Sequence, residues 1–111
     1  MSIAQAREIL KHRFGYDEFR LNQEPAIEAV LGRRDCVVLM PTGGGKSICY
    51  QLPAVLMEGT AVVISPLISL MKDQVDAAKE NGIAAAYINS SLDADAMSAV
   101  IRRLKSNQLK L

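Results

Sequence analysis

Apolar side chains recur at two spacings along the chain, and these spacings predict helices and strands in alternation. Apolar residues three and four positions apart predict helices at 3–13, 23–31, 47–57, 68–80 and 93–105. Continuous apolar runs bounded by turn residues predict buried strands at 36–40 and 61–64, and a third at 84–88 with fewer β-branched residues. This alternation is typical of an α/β fold with a parallel, three-layer sheet and right-handed crossovers.

Turn and capping residues mark where several of these helices begin or end. Gly32 follows the second helix and Asn81-Gly82 follows the fourth, while Asp93 or Ser91 is expected to cap the fifth. Pro53 lies inside the third helix and is expected to distort or shorten it, because proline has no N–H group to donate.

Length and composition indicate one globular domain, which we divide into a helical segment at 1–34 and a βαβαβα core at 35–111. Half of the residues are apolar and 23% are charged, and the net charge of +1 argues neither for nor against binding to nucleic acid. His12 is the only histidine, so a metal cluster of the usual spacing is not expected. Cys36 and Cys49 are expected to be reduced core residues of a cytosolic protein, and no apolar run approaches the roughly 20 residues that span a bilayer.

A glycine-rich run lies between the first predicted strand and the third predicted helix. It reads Thr42-Gly43-Gly44-Gly45-Lys46-Ser47. Glycines allow backbone N–H groups to surround a phosphate without Cβ clashes, and the positive end of the next helix faces the same point. Lys46 can reach the β and γ phosphates of ATP, and the Ser47 hydroxyl can ligate Mg²⁺. The run therefore predicts an ATP-binding phosphate loop with Lys46 as the catalytic lysine.

This run departs from the usual phosphate-loop pattern at one position. The pattern begins with a glycine separated by four residues from the Gly-Lys pair, and this chain has Met40 there. The alternative interpretation is a glycine-rich turn that happens to precede Lys46-Ser47.

Three stretches of the chain together resemble one known family. They lie at 14–23 (FGYDEFRLNQ), 40–54 (MPTGGGKSICYQLPA) and 65–75 (SPLISLMKDQV). In this order they are similar to motifs of the RecQ-type DNA helicases of superfamily 2, in which a residue other than glycine at the Met40 position is common. The resemblance implies a P-loop NTPase of RecA-like fold and covers residues from about Phe14 to Asn89. It identifies the chain as the amino-terminal part of a first RecA-like motor domain.

The first of these stretches resembles the adenine-reading motif of the family. The resemblance implies that Tyr16 stacks on the adenine ring, that Arg20 packs on its other face and that Gln23 bonds its edge. An amide side chain matches the adjacent acceptor and donor of adenine, and stacking on an aromatic ring is worth roughly 1–3 kcal/mol per base. The alternative is that Tyr16 and Phe19 are core aromatics at a helix end and Gln23 is a solvated residue of a first turn.

The third stretch opens a helix after the second predicted strand, at the edge of the sheet where ligands of open α/β folds bind. In the helicases that it resembles, this segment contacts the backbone of single-stranded DNA. The resemblance assigns that contact to Ser65, Pro66 and Lys72. The alternative is a tight junction between strand and helix, with Pro66 as its rigid start.

Hydrolysis in this family also needs a carboxylate from an Asp-Glu-x-His box, which holds Mg²⁺ and positions water. The only Asp-Glu pair is Asp17-Glu18, which lies in the adenine stretch. We therefore expect the chain to be a truncated piece that holds ATP and Mg²⁺ but is inactive in hydrolysis by itself.

The resemblance implies a parent enzyme that couples ATP hydrolysis to 3′–5′ unwinding of DNA in repair and recombination, with single-stranded and duplex DNA as partners. Two alternatives stay open on the residues alone. One is a different P-loop enzyme, such as a nucleotide kinase or a transport ATPase. The other is a non-catalytic piece that binds a nucleotide or single-stranded DNA.

Overall fold

The structure is a computed structural model that describes residues 2–20, 22–40 and 45–111. The chain divides into two compact units, Met1–Glu58 and Gly59–Leu111. The described helices of the first unit are α1 (Ile3–Ile9), a π-helix (Leu10–Phe14), α2 (Gln23–Leu31) and α3 (Ile48–Leu56). Those of the second unit are α4 (Ile68–Glu80) and α5 (Ala94–Lys105). The five predicted helices are thus confirmed within a few residues, and the last turn of the first one is a π-helix.

Local signals explain where these helices begin. The Ser2 hydroxyl accepts a hydrogen bond from the Gln5 N–H, and the Gln5 side chain accepts one from the Ser2 N–H, which forms a capping box before α1. The Asp93 carboxylate accepts a hydrogen bond of 2.7 Å from the Ala96 N–H. Asp93, and not Ser91, is therefore the cap of α5.

The core of the first unit forms where its helices meet. Its fully or almost fully buried side chains are Ala6, Leu10, Ile27, Ile48 and Leu52. An ion pair between Arg7 and Glu24 joins α1 to α2 at the surface. Because α3 contributes two of the buried side chains, the start of this helix is attached to the core of the unit.

Pro53 lies inside α3, where its ring is fully buried. The helix nevertheless continues to Leu56, and the Pro53 carbonyl accepts a hydrogen bond of 2.9 Å from the Met57 N–H. Proline therefore removes one donor from the helix without ending it at that point.

The predicted strands are not found. The described residues of 36–40, 61–64 and 84–88 have no regular secondary structure. Val37 is 89% exposed and Ile64 is 90% exposed, so the prediction that these runs are buried is wrong for both side chains. A parallel strand is buried only when strands flank it and helices cover both faces, and neither residue has a backbone hydrogen-bond partner among the described residues.

In the second unit, the last residues of the chain are hydrogen-bonded to two of these segments. The Ala61 N–H donates to the Lys110 carbonyl at 2.8 Å, and the Lys110 N–H donates to the Ala84 carbonyl at 2.7 Å. The Thr60 hydroxyl adds a hydrogen bond of 2.7 Å to the carbonyl of Leu109, whose side chain is buried. Residues 109–111 therefore tie 60–61 to 84–86. None of the helices in the described ranges is long and apolar enough to cross a membrane.

Candidate functional site

The glycine-rich loop is described from Gly45 onward. The predicted phosphate-binding residues Thr42, Gly43 and Gly44 lie outside the described residues. Gly45 has a φ of +79°, in the left-handed region that glycine adopts without strain. The backbone then turns through Lys46 and Ser47 directly into α3.

Lys46 and Ser47 stand at the amino-terminal end of α3, and both are exposed. Their carbonyls accept hydrogen bonds from the first turn of the helix, 3.0 Å from the Cys49 N–H to Lys46 and 2.9 Å from the Gln51 N–H to Ser47. Within the described residues, the Ser47 hydroxyl makes no capping hydrogen bond. An ammonium group, a hydroxyl and the positive end of a helix are thus presented together, which is the arrangement that attracts a polyanion.

Gln23 joins the adenine stretch to this loop. The side chain is 2% exposed, its Oε1 accepts a hydrogen bond of 2.8 Å from the Arg20 N–H, and its Nε2 donates one of 3.0 Å to the Gly45 carbonyl. A Cβ at Gly45 would lie 2.4 Å from Nε2 of Gln23, so only glycine allows this approach. The alternative that Gln23 is a solvated residue is wrong.

The Gln23–Gly45 contact could not have been inferred from local spacing, because 22 residues separate the two positions. The amide of Gln23 gave a partial indication of this contact, because a buried amide needs hydrogen-bond partners for both its donor and its acceptor. The adenine-edge role of Gln23 stays a prediction.

Tyr16 is presented at the surface by the end of the π-helix. Gly15 adopts a φ of +76° as the carboxyl-terminal cap, and the Tyr16 side chain that follows is 49% exposed. Phe19, in contrast, packs half-buried against the core of the first unit. The alternative of core aromatics therefore describes Phe19 but not Tyr16. Arg20 is exposed, as a side chain that covers one face of a base would be.

The three residues of the third stretch lie at the start of α4 in the second unit. Ser65 is half-buried and its hydroxyl donates to the Leu67 carbonyl at 3.4 Å, while Pro66 is exposed. Lys72 is exposed in the second turn of the helix, and its Nζ lies 2.8 Å from a carboxylate oxygen of Asp76.

Asp76 is a neighbour of the predicted DNA contact that the sequence reasoning missed, although the spacing of four residues could have indicated it. Its hydrogen bond and charge raise the pKa of Lys72, and in return the Lys72 hydrogen bond lowers the pKa of Asp76. Both groups are therefore charged at neutral pH.

The two cysteines are free thiols in different surroundings. Cys49 is half-buried, and burial followed by the nearby charge of Cys36 raises the pKa of its thiol. Cys36 is exposed, so the prediction that it is a core residue is wrong. The neighbouring Val37 is exposed as well, because no described element covers this part of the chain.

Comparison with known proteins shows the family. The sequence profile of the DEAD/DEAH box helicases matches residues 20–111. The chain is 54% identical over 108 residues to the ATP-dependent DNA helicase RecQ of Bacillus subtilis, a match that covers 96% of this chain and 18% of that protein. It is 48% identical to the protein of the same name from Synechocystis over 94% of this chain and 22% of that protein. It is 41% identical to the ATP-dependent DNA helicase Q1 of Mus musculus over 96% of this chain and 17% of that protein.

The chain spans about a fifth of the length of these curated relatives. The family implies a RecA-like P-loop fold, and the RecQ resemblance predicted from the motifs is confirmed. The chain belongs to the DEAD/DEAH box helicase family.

Proposed function

We propose that the chain is the ATP-binding, amino-terminal part of a RecQ-type DNA helicase, which couples ATP hydrolysis to 3′–5′ unwinding. The observation that carries this proposal is the exposed Lys46-Ser47 pair at the start of α3, with Gly45 bound to Gln23 beside it. The relatives named as ATP-dependent DNA helicases support the proposal. Such a protein would act on single-stranded and duplex DNA in the cytoplasm, and in a bacterium it would be associated with the nucleoid.

The nucleotide would lie between the adenine stretch and the loop. Lys46 would hold the β and γ phosphates, Ser47 would ligate Mg²⁺, and Thr42, Gly43 and Gly44 would complete the phosphate cradle. The Ser47 hydroxyl, the Lys46 ammonium and the helix end are the groups that a Mg²⁺–triphosphate requires, so the described residues fit ATP and Mg²⁺. When bound, Mg²⁺ would neutralise the charge that develops on the phosphates.

The base would lie at Tyr16, with Arg20 on its other face and Gln23 at its edge. Both prongs of the Gln23 amide have protein partners, the Arg20 N–H and the Gly45 carbonyl. Each prong keeps one further N–H or lone pair, so the amide would read adenine with these while it retains both protein partners. Because the same amide donates to the Gly45 carbonyl, binding of the base would be coupled to the backbone of the phosphate loop.

Nucleic acid would contact Ser65, Pro66 and Lys72 at the start of α4. The exposed ammonium of Lys72 and the positive end of α4 favour phosphate, although Lys72 shares its charge with Asp76. We further propose that residues 35–111 build a three-layer parallel sheet within the complete motor domain. The hydrogen bonds that 109–111 make to the segments on either side support this arrangement.

The nucleotide site is tested by titrating the chain with ATP in the presence of Mg²⁺ and measuring the affinity by isothermal titration calorimetry. Lys46→Ala removes a charge-assisted contact to phosphate, so we expect affinity to fall by about tenfold or more. Lys79→Ala is the control, because it removes the same charge from an exposed position of α4. An unchanged affinity for Lys46→Ala would contradict the proposal.

Base preference and hydrolysis separate this proposal from the two alternatives. An adenine site predicts tighter binding of ATP than of GTP, and equal binding would favour a different P-loop enzyme. Hydrolysis measured with and without single-stranded DNA on a full-length protein that contains this segment distinguishes an enzyme from a binding piece. Stimulation by DNA that Lys46→Ala abolishes is the result we expect.

A further inference from the structure

The π-helix ends in a left-handed turn at Gly15, directly before Tyr16, and this turn is anchored in the core of the first unit. Gly15 adopts φ 76° and ψ 20° at the end of the helix. The Leu10 carbonyl accepts hydrogen bonds from both the Gly15 N–H and the Tyr16 N–H, the latter at 3.2 Å. Since the Leu10 side chain is fully buried, the backbone of Tyr16 is tied directly to the core.

Only the backbone conformation restricts which residue can occupy position 15. A Cβ built at Gly15 would have no other atom within 4 Å, so a side chain would find open space. The left-handed conformation itself is unfavourable for an ordinary residue and costs glycine nothing. It is less unfavourable for asparagine than for a β-branched residue. Gly15 therefore matters for the direction in which the chain leaves the helix and not for packing.

We propose that Gly15 is a positioning residue for nucleotide binding, because its left-handed turn holds the Tyr16 ring where the base stacks. The inference rests on the proposed adenine site. Tyr16 follows this turn immediately, its N–H is fixed by Leu10, and its ring is half-exposed. A ring that is held in place before the ligand arrives loses less conformational freedom on binding, which increases affinity for the base.

The inference predicts that a substitution at Gly15 weakens the part of the affinity that the adenine base contributes. The part that the phosphates contribute should stay unchanged. The two ligands to compare are Mg²⁺–ATP and Mg²⁺–tripolyphosphate, which share the phosphate chain but not the adenine. Stacking worth roughly 1–3 kcal/mol corresponds to a preference for ATP of about 5-fold to 150-fold. Tyr16→Ala should remove this preference and leave tripolyphosphate affinity unchanged.

Two substitutions at position 15 separate conformation from bulk. Gly15→Val and Gly15→Asn both fill the open space, but asparagine tolerates the left-handed region and valine does not. We expect Gly15→Val to lower the ATP preference at least about fivefold, and Gly15→Asn to stay within about twofold of the parent chain. Circular dichroism and unchanged tripolyphosphate binding show that each variant is folded. If Gly15→Val does not fold, Gly15→Ala replaces it, with a smaller loss of ATP preference expected.

The outcomes distinguish the inference from the function on which it rests. If Tyr16→Ala leaves the ATP preference unchanged, Tyr16 does not stack on the base, and the proposed adenine site and the inference both fail. If Tyr16→Ala removes the preference but the valine or alanine variant keeps it, the inference alone fails. If Gly15→Asn loses as much as Gly15→Val, side-chain bulk is responsible and the left-handed turn is not.

Discussion

At the scale of single residues, the proposed site depends on a polar side chain whose donor and acceptor are both hydrogen-bonded. Gln23 is the clearest case, because one buried amide accepts from the Arg20 N–H and donates to the Gly45 carbonyl. Leaving one of these groups unpaired in the interior costs roughly 1–3 kcal/mol, so the contact fixes the end of the phosphate loop. The geometry also explains why position 45 needs glycine, since a Cβ would collide with the amide.

A second residue-scale case is the Lys72–Asp76 ion pair, which predicts that Asp76 restrains nucleic-acid binding by α4. The pKa of Asp76 is lowered and that of Lys72 is raised, so the pair persists across neutral pH. Water and salt screen a pair that is this exposed, so its effect is small. Asp76→Asn should therefore tighten the binding of single-stranded DNA by roughly twofold at low salt. Fluorescence anisotropy with a labelled oligonucleotide measures this change.

The controls for this prediction use the same unit of the chain. Asp95→Asn removes the same charge from an exposed position of α5 and should change affinity less than Asp76→Asn does. Combining Asp76→Asn with Lys72→Ala should abolish the gain. Equal gains from both aspartate variants would show a general effect of net charge and would count against the prediction.

At the scale of elements, each described unit is held together by a different kind of contact. Helices α1, α2 and α3 of the first unit share one apolar core, which places the start of α3 on a fixed support. The second unit relies on residues 109–111, whose backbone bonds Ala61 on one side and Ala84 on the other. The side chain of Leu109 is 5% exposed, so the same segment also contributes a buried apolar side chain to the unit.

The burial of Leu109 predicts a large difference between two leucines of the second unit. Leu109→Ala should destabilise the unit by about 2–5 kcal/mol, because it leaves a cavity and removes apolar contacts. Leu104→Ala is the matched control, since that side chain is 40% exposed and should cost clearly less. Hydrogen exchange of the amides of α4 and α5 reports the stability of this unit directly. Similar losses of protection in both variants would contradict the structure around 109–111.

At the scale of the whole molecule, the chain corresponds to about a fifth of a curated RecQ helicase. The described residues include Lys46 and Ser47, for which we propose phosphate and Mg²⁺ binding. Asp17-Glu18 is the only Asp-Glu pair of the sequence, and it lies in the stretch proposed to bind the base. A nucleotide site of this kind can hold ATP, whereas turnover also needs a carboxylate that positions the attacking water. Function is therefore best tested in a complete motor.

A chimera provides this test. The aligned 108-residue region of the Bacillus subtilis relative is replaced by this chain, which is 54% identical to it. We expect DNA-stimulated ATP hydrolysis and strand separation to be retained, and both to be lost when Lys46→Ala is introduced. A folded chimera that binds ATP but separates no strands would contradict the proposed helicase function of this chain.

Much of the local structure could be predicted, because it depends on near neighbours. The repeat of apolar residues placed α2 at 23–31 and α4 at 68–80, as the structure has them. The prediction for the first helix was less complete, since the apolar pattern does not distinguish the α-helix that ends at Ile9 from the π-helix that begins at Leu10. Burial of Val37 and Ile64 was predicted wrongly, because it depends on elements that must cover them, whereas Met40 and Ala85 of the same runs are buried.

Residues a few positions apart were enough to specify the helices and several of their caps, and they predict the type of chemistry at Lys46 and Ser47. Long-range packing was needed to show that Gln23 is buried against Gly45, that Tyr16 follows a turn tied to Leu10, and that 109–111 joins two distant segments. Such contacts link positions far apart along the chain, and hydrophobic periodicity carries no information about which of them meet.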